Sequence, residues 1–490
     1  MTDVADELAL FDPQRWGLPA EAVLDLANRL QRSWERYHDC FTTKTRDTSP
    51  YGFSYLRGLL TMDTDRNYAN IARRVIAPDD DGQNLQQFMS DSPWSSAAVF
   101  ERIQAEIRAQ PALHGGMLTL DESADERAGD QSAGAARQYL GRFGKVDLGQ
   151  VGVALGYTHA GIWTLVDAEL YLPEAWFDTA HADLRRRWHI PAERTFATKP
   201  ELGLQLIRRA KDRNLPFAVV GCDSLYGRDR QFRAALDAEQ VVYMADIPGD
   251  TLVYLAPPQV GVPATVRGKR GRPASRPQVL SATAPVEVRL LVSRPDPPWQ
   301  ALPIRQTERG LLTYACATRR VWTLTPEMQV REEWLLLRQE HDGTFSFALS
   351  NAPVTTRPGE LAQWRCQRYF GERTFQDAKS EAGWAELVAR KYRAWMHHTA
   401  LDALALWFVA ETKLDWAQAH PRDPALGEQL EVAVLPALSM ANVRELLQAV
   451  LPLEQLSPEQ AVRVVINHLV HRSRSTRSRL KQQHRNRGAT

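Results

Sequence analysis

The stretch "PFAVVGCDSLYG" (residues 216–227) decides the fold. From Phe217 to Cys222 it has no polar residue and no alternation, and it stops abruptly at Asp223 and Ser224. A short, uniformly apolar run bounded by turn formers reads as a strand buried on both faces. The helical pattern "KPELGLQLIRRAKDRN" (199–214) precedes it, and "DRQFRAALDAE" (229–239) and a further strand, "VVYMADIP" (241–248), follow. Upstream, "GGMLTLDES" (115–123) is a short β-rich run ending at Asp121. "QVGVALGYT" (150–158) and "GIWTLVDAELYLP" (161–173) form a strand pair around the tight turn "THAG" (158–161). Strand, hairpin strands, helix, strand, helix, strand is the order of a mixed α/β sheet, and it fits a ribonuclease-H-like core.

The pattern breaks near Thr251. Between there and Thr356 lie prolines, basic residues and the runs "VEVRLLVSR" (286–294), "GLLTYACATRRVWTLT" (310–325), "EEWLLLRQ" (332–339) and "TFSFALSN" (344–351), which read as an inserted, mostly β subdomain. Helices resume at Glu360. From about residue 19 to 110 the amphipathic pieces "PAEAVLDLANRLQRSWERY", "GFSYLRGLL", "RNYANIARRV" and "SSAAVFERIQAEI" read either as a helix-turn-helix-like bundle or as a plain helical cap or dimerisation bundle. The expected organisation is therefore a helical DNA-binding or dimerisation region over 1–112, a core over 113–250, a β-rich insertion over 251–356, the rest of the core over 357–412, and a helical C-terminal region with a basic tail over 413–490.

The 490 residues exceed one simple core, and two to four domains are expected. The net charge of +1 conceals local asymmetry: "VRGKRGRPASRP" (266–277) and "HRSRSTRSRLKQQHRNRG" (471–488) are basic without an acid, whereas "MTDVADELALFD" (1–12) is acidic. Such runs suggest placed contacts with an anion, and the tail is expected to stay disordered until it meets a partner. The four cysteines are scattered without C-x-x-C pairing, which excludes a zinc ribbon or a disulfide framework and fits a reducing cytosol. No apolar run approaches the length of a membrane span and the N-terminus has no signal-peptide pattern. No phosphate-loop motif is present, so nothing points to a nucleotide hydrolase.

Two strands deliver an acid in the same way, "MLTLD" giving Asp121 and "AVVGCD" giving Asp223. Side chains at the carboxyl ends of adjacent strands converge on one crevice, where two carboxylates repel unless a cation lies between them. Magnesium or manganese suits such oxygen ligands. A third acid comes from "RCQRYFGERTFQDAKSEAG" (365–383), a helix by propensity. At 100° per residue Trp364, Arg368, Glu372, Phe375 and Lys379 share one stripe that mixes aromatics with charges. Taken singly, each residue has an ordinary explanation: a strand-end Asp is a helix N-cap, and Arg368 with Glu372 is an exposed i,i+4 pair. Glu122, Asp125 and Asp130, beside Asp121, read as solvated loop acids rather than as secondary metal ligands. Lys145, in the glycine-rich turn "GRFGKVD", reads equally as a phosphate contact or a hairpin turn. His397 and His398 read as core or capping residues.

Together these motifs resemble the DDE transposases of bacterial insertion sequences, in the branch whose third acid lies in a Y-x-x-R-x-x-x-E-x-x-x-x-x-x-K signature. Arg368, Glu372 and Lys379 match it in residue and spacing, while Arg365 stands at the tyrosine position with Trp364 before it. "DSLYG", "GKRGRP" and "WLLLRQ … FALSNAP" carry the same likeness, which extends over roughly residues 20–410. The resemblance implies a ribonuclease-H-like core interrupted by a β insertion, with Asp121, Asp223 and Glu372 as catalytic residues binding two divalent ions, Mg2+ or Mn2+. Arg368 and Lys379 would contact phosphates near the scissile bond, and Lys269, Arg270 and Arg272 would grip the DNA backbone. It further implies cleavage at the terminal inverted repeats of a mobile element, joining of the freed 3′-hydroxyls to target DNA, at least a homodimer on DNA, and a cytoplasmic, nucleoid-associated protein. The alternatives are a metal-dependent nuclease that does not join and a domesticated DNA-binding protein without catalysis.

Overall fold

The computed structural model describes residues 9–44, 46–141, 144–263, 275–451, 462 and 466. Lys269, Arg270, Arg272 and the basic tail from 471 onward lie outside the described residues. The chain opens with helices α1 (Ala20–Leu24), α2 (Leu26–Glu35), α3 (Ser49–Thr61), α4 (Tyr68–Val75), α5 (Gln83–Ser90) and α6 (Ser96–Arg108). Strands β1 (Gly116–Glu126), β2 (Ala136–Leu140), β3 (Lys145–His159) and β4 (Ile162–Tyr171) follow. Helices α7 (Ala182–Arg187) and α8 (Lys199–Asp212) lead to β5 (Phe217–Cys222). The short α9 (Ser224–Gly227) and α10 (Arg230–Ala238) precede β6 (Tyr243–Ile247).

The chain is a mixed α/β protein with the sheet expected of a ribonuclease-H-like core. β3 runs antiparallel to both β1 and β4, while β5 is parallel to β1 and β6 parallel to β5. The β3–β4 hairpin turns at Ala160 and Gly161, whose φ values of 50° and 79° suit a tight two-residue connection. Helix α8, which crosses over before β5, starts at a complete capping box of Thr198 and Glu201.

Four short strands, β7 (Leu252–Val253), β8 (Val260–Gly261), β9 (Gln278–Val279) and β10 (Val286–Glu287), precede the long strands of the insertion. These are β11 (Gln300–Thr307), β12 (Gly310–Leu324), β13 (Val330–Gln339) and β14 (Phe345–Ser350). β14 pairs antiparallel with β6, so the long strands continue the core sheet to ten strands in the order β11-β12-β13-β14-β6-β5-β1-β3-β2, with β4 on β3. Leu336 faces one core together with Met244 and Leu361, while Leu335 and Leu337 face another with Val288 and Leu291. Period-2 alternation thus buries both faces of the extension.

Two sequence expectations are corrected here. "VEVRLLVSR" is not one strand. β10 gives way to a 3-10 turn, Val288–Leu291, because Val288 and Leu291, three apart, are both buried while Leu290 is exposed. β1 does not end at Asp121. Its parallel partner β5 leaves after the Leu120–Cys222 pair, but β3 keeps pairing with it out to Glu126.

The glutamate helix α11 (Pro358–Asp377) ends in a π turn, Ala378–Ala382, and a left-handed Gly383. Helix α12 (Tyr392–Ala419) is buried nearly all round, as a central helix must be when elements cover every side. α13 (Ala425–Gln429) and α14 (Met440–Val450) complete the described chain. One apolar cluster runs from Leu30 and Phe100 through Val153 and Leu206 to Leu406 and Leu447, so the N- and C-terminal helices share a core with the sheet. Among the described residues no helix is long and apolar enough to cross a membrane.

Candidate active site

Asp121 and Asp223 stand one residue beyond the last parallel pair of β1 and β5, Leu120 with Cys222. Register therefore places two carboxylates side by side where the two strands part. Burial first, and then the neighbouring charge of Asp223, raise the Asp121 carboxyl to about 7; Arg368 and the Glu122 amide, which donates to Asp121 Oδ1 at 2.7 Å, act against this. The Asp223 carboxyl is raised mainly by burial and then by the charge of Glu122. Asp223 is also the N-cap of α9, accepting from the Leu225 amide at 2.9 Å, so the ordinary reading of a strand-end aspartate is true of it as well. Gly227 closes this turn for a steric reason: a Cβ there would lie 1.8 Å from the Asp246 carbonyl oxygen of β6.

Helix α11 brings the third acid. Its side chain is 53% exposed, and Glu372 Oε1 pairs with Arg368 at 2.9 Å. Arg368 also pairs with Asp246 at 3.2 Å. Burial opposes the charge of this guanidinium, but the carboxylates of Asp246, Glu372, Asp121 and Asp223 together raise its pKa. Arg368 thus pairs with the helix glutamate and with Asp246 of β6, within the field of the strand aspartates. Gly371, beside Glu372, lets α11 lie directly on β1, since a Cβ there would come within 2.7 Å of Thr119. The two aromatics of the stripe anchor the helix at different points. Trp364 packs on the insertion's core, and the buried Phe375 stacks on Trp384 at 5.9 Å. Lys379 falls on the π turn, where the 100° phase of the α-helix no longer holds, so the stripe ends within α11.

Among the described residues, no three carboxylate, imidazole or thiolate side chains come together closely enough to hold one metal ion. Glu372 is instead paired with Arg368. Asp121 and Asp223 do fit a hard divalent cation as oxygen donors, because their mutual repulsion is what a cation would relieve.

The remaining predicted residues are dispersed. Lys145 opens β3 on an exposed edge, paired with Asp147 at 2.7 Å and Glu126 at 3.1 Å. Asp121 faces Ala154, nine residues further along β3, so Lys145 sits about 30 Å from the aspartates. Glu122 is not a loop acid. It lies within β1, pairs with Lys199 at 2.9 Å and accepts from Tyr226 Oη at 3.4 Å. His397 and His398 are buried, and burial lowers them to about 3 and about 4.

Sequence reasoning missed Asp246 and the burial of Arg365. Arg365 Nε donates to Asp246 Oδ1 at 2.8 Å and its other arm donates to Ser346 Oγ at 2.8 Å. "VVYMADIP" repeats the apolar-strand-then-acid pattern of the two aspartates, a signal that marks Asp246. Arg305 of β11 lies over the Phe370 ring at 4.7 Å, bringing the insertion's edge strand to α11.

The family model described as DDE superfamily endonuclease matches residues 36–311, a span that includes both aspartates and ends before α11. A "probable transposase for insertion sequence element IS701" from Microchaete diplosiphon is 27% identical over 212 residues, covering 42% of this chain and 51% of that protein. The chain thus spans about half the length of this relative.

Proposed function

The chain belongs to the DDE superfamily endonucleases, and from that premise we propose that it is a DNA transposase that cuts the ends of its own mobile element and joins the 3′-hydroxyls to target DNA. The observation that carries this reading is the placement of Asp121 and Asp223 side by side at the carboxyl edge of parallel β1 and β5, with Arg368 bridging to Glu372. In this reading Asp121 and Asp223 hold divalent cations, Mg2+ or Mn2+, and Glu372 joins them when its side chain leaves Arg368. Bound there, two such ions activate the attacking oxygen and stabilise the leaving one during in-line displacement at phosphorus.

The chain's own residues supply position and charge. Arg368, released from Glu372, pairs with a non-bridging phosphate oxygen, for which its planar fork is suited. Lys379, in the π turn that follows α11, acts as a second phosphate contact. In cleavage, water forms a new P–O bond and the strand's 3′-oxygen leaves with a proton. In joining, that 3′-hydroxyl loses its proton and forms the new bond to a target phosphate, and the target's own 3′-oxygen leaves and takes up a proton. The helical region over 1–112, whose described helices share their core with the sheet, is read as the DNA-binding or dimerisation part, with Lys269, Arg270 and Arg272 on the DNA backbone. Two ends cut and joined together call for a homodimer on DNA.

Asp223→Asn tests the assignment. With a plasmid carrying the DNA that flanks the chain's own gene, the variant loses cleavage and keeps binding. Cutting at the wild-type rate by the variant refutes the site. Joining of pre-cut ends by the wild-type protein separates a transposase from a nuclease that only cuts.

A further inference from the structure

Among the described residues Asp246 is the one carboxylate that pairs with both Arg365 and Arg368 of α11. Its Oδ1 accepts from Arg365 Nε at 2.8 Å and its Oδ2 pairs with Arg368 Nε at 3.2 Å. The Arg365 side chain is only 4% exposed, and its other contacts are Ser346 at 2.8 Å and Glu340 at 3.7 Å. A guanidinium so deeply buried cannot serve DNA directly and requires a fixed counter-charge. Arg368 is more open, at 28%, and points its second arm to Glu372. The backbone of Asp246 meanwhile lies against Gly227, at the end of the turn that Asp223 caps. One residue of β6 therefore touches the turn carrying the second aspartate and the helix carrying the glutamate.

We propose that Asp246 is a positioning residue: clamped from behind by Arg365, it fixes the guanidinium of Arg368 among the acids of the site before DNA arrives. The proposal rests on the transposase reading given above. A free arginine gives up rotamer freedom when it is immobilised. Holding Arg368 on a carboxylate that is itself held removes that loss from the DNA-bound step. The arginine found at the signature's tyrosine position then has a local purpose, as the anchor of this clamp.

The test is a double-mutant cycle on single-turnover cleavage of the same flanking-DNA plasmid, with DNA affinity measured in parallel. Asp246→Asn is expected to slow cleavage about 10–100-fold at nearly unchanged DNA affinity, and Asp246→Glu to recover part of the rate. In an Arg368→Ala background the same Asp246→Asn change is expected to cost less than about threefold, because its effect runs through Arg368. Losses that multiply across the two sites overturn the proposal. Should Asp246→Asn not fold, Arg365→Lys replaces it in the cycle: it keeps the charge, loses the fork, and is expected to slow cleavage only while Arg368 is present. Asp223→Asn runs alongside as the control. If wild-type protein does not cut, or Asp223→Asn still cuts, the transposase reading fails and the clamp falls with it. If Asp223→Asn is inactive but the Asp246 and Arg368 losses multiply, only the clamp is wrong.

Discussion

Replacing Gly371 by alanine tests whether the glutamate helix owes its position to direct contact with β1. The new Cβ would lie 2.7 Å from Thr119 Cβ, 2.8 Å from its Oγ1 and 3.0 Å from its Cγ2. Thr119 is 2% exposed in the middle of β1 and cannot swing away. Carbon atoms need about 3.5–4.0 Å, so α11 must back off by about 1 Å. Overpacking of this kind costs about 1–3 kcal/mol, but alanine returns about 1 kcal/mol of helix propensity lost at glycine. The net loss of stability is therefore about 0–2 kcal/mol. Activity should respond far more strongly, because a 1 Å misplacement of a catalytic group costs about 10²-fold. The prediction is a protein that melts within a few degrees of wild type and cuts about 100-fold more slowly. Thr119→Gly in the same chain removes all three contacts and should restore part of the rate. Wild-type cleavage by Gly371→Ala would refute the claim that this contact sets the position of Glu372.

Gly227→Ala should be harsher, since its Cβ meets the backbone oxygen of Asp246 at 1.8 Å and no side chain can yield; a loss of about 3 kcal/mol or more in urea unfolding is expected. Glu386→Gln removes the negative charge beside the fully buried Arg66 side chain, whose other hydrogen bonds go to the carbonyls of Met62 and Glu381, each at 2.9 Å. Glu386 is itself 27% exposed, so the expected cost is near the lower end for a broken buried pair, about 3 kcal/mol, read from the urea midpoint. His397 and His398 are held neutral by burial, at about 3 and about 4. The unfolded chain takes up protons near pH 6.5 that the folded chain refuses, so stability falls as pH drops from 6.5 towards 4, by up to about 3 kcal/mol per histidine. His398→Gln should shrink that fall, and an unchanged fall in melts between pH 7 and 4.5 would refute it.

The core strands were readable because an apolar run that stops at an acid has few alternative explanations. The pairing of Asp121 with Asp223 was readable for the same reason. What lay beyond reach depended on partners distant in the chain. β1 runs on through Glu126 although "DESADE" is polar, because β3 supplies a ladder that local sequence does not announce. Arg365 stands at the signature's tyrosine position with no partner nearby in sequence, and only the approach of β6 buries it. The phase that placed Lys379 on the stripe assumed an unbroken α-helix, whereas the chain widens into a π turn before Gly383. The N-terminal amphipathic helices showed that they had an apolar face but not what it would cover, which proved to be the core shared with α12 and α14.

The insertion between β6 and α11 also has a temporal consequence. Glu372 follows Asp223 by 149 positions, because the strands that prolong the sheet are made in between. At ordinary rates of synthesis the two aspartates leave the ribosome roughly 7–30 s ahead of the glutamate. During that interval the nascent chain carries two of the three acids and lacks α11 with its Arg368 and Glu372. A chain interrupted anywhere in the insertion lacks Glu372 altogether, and with it the third acid of the proposed site.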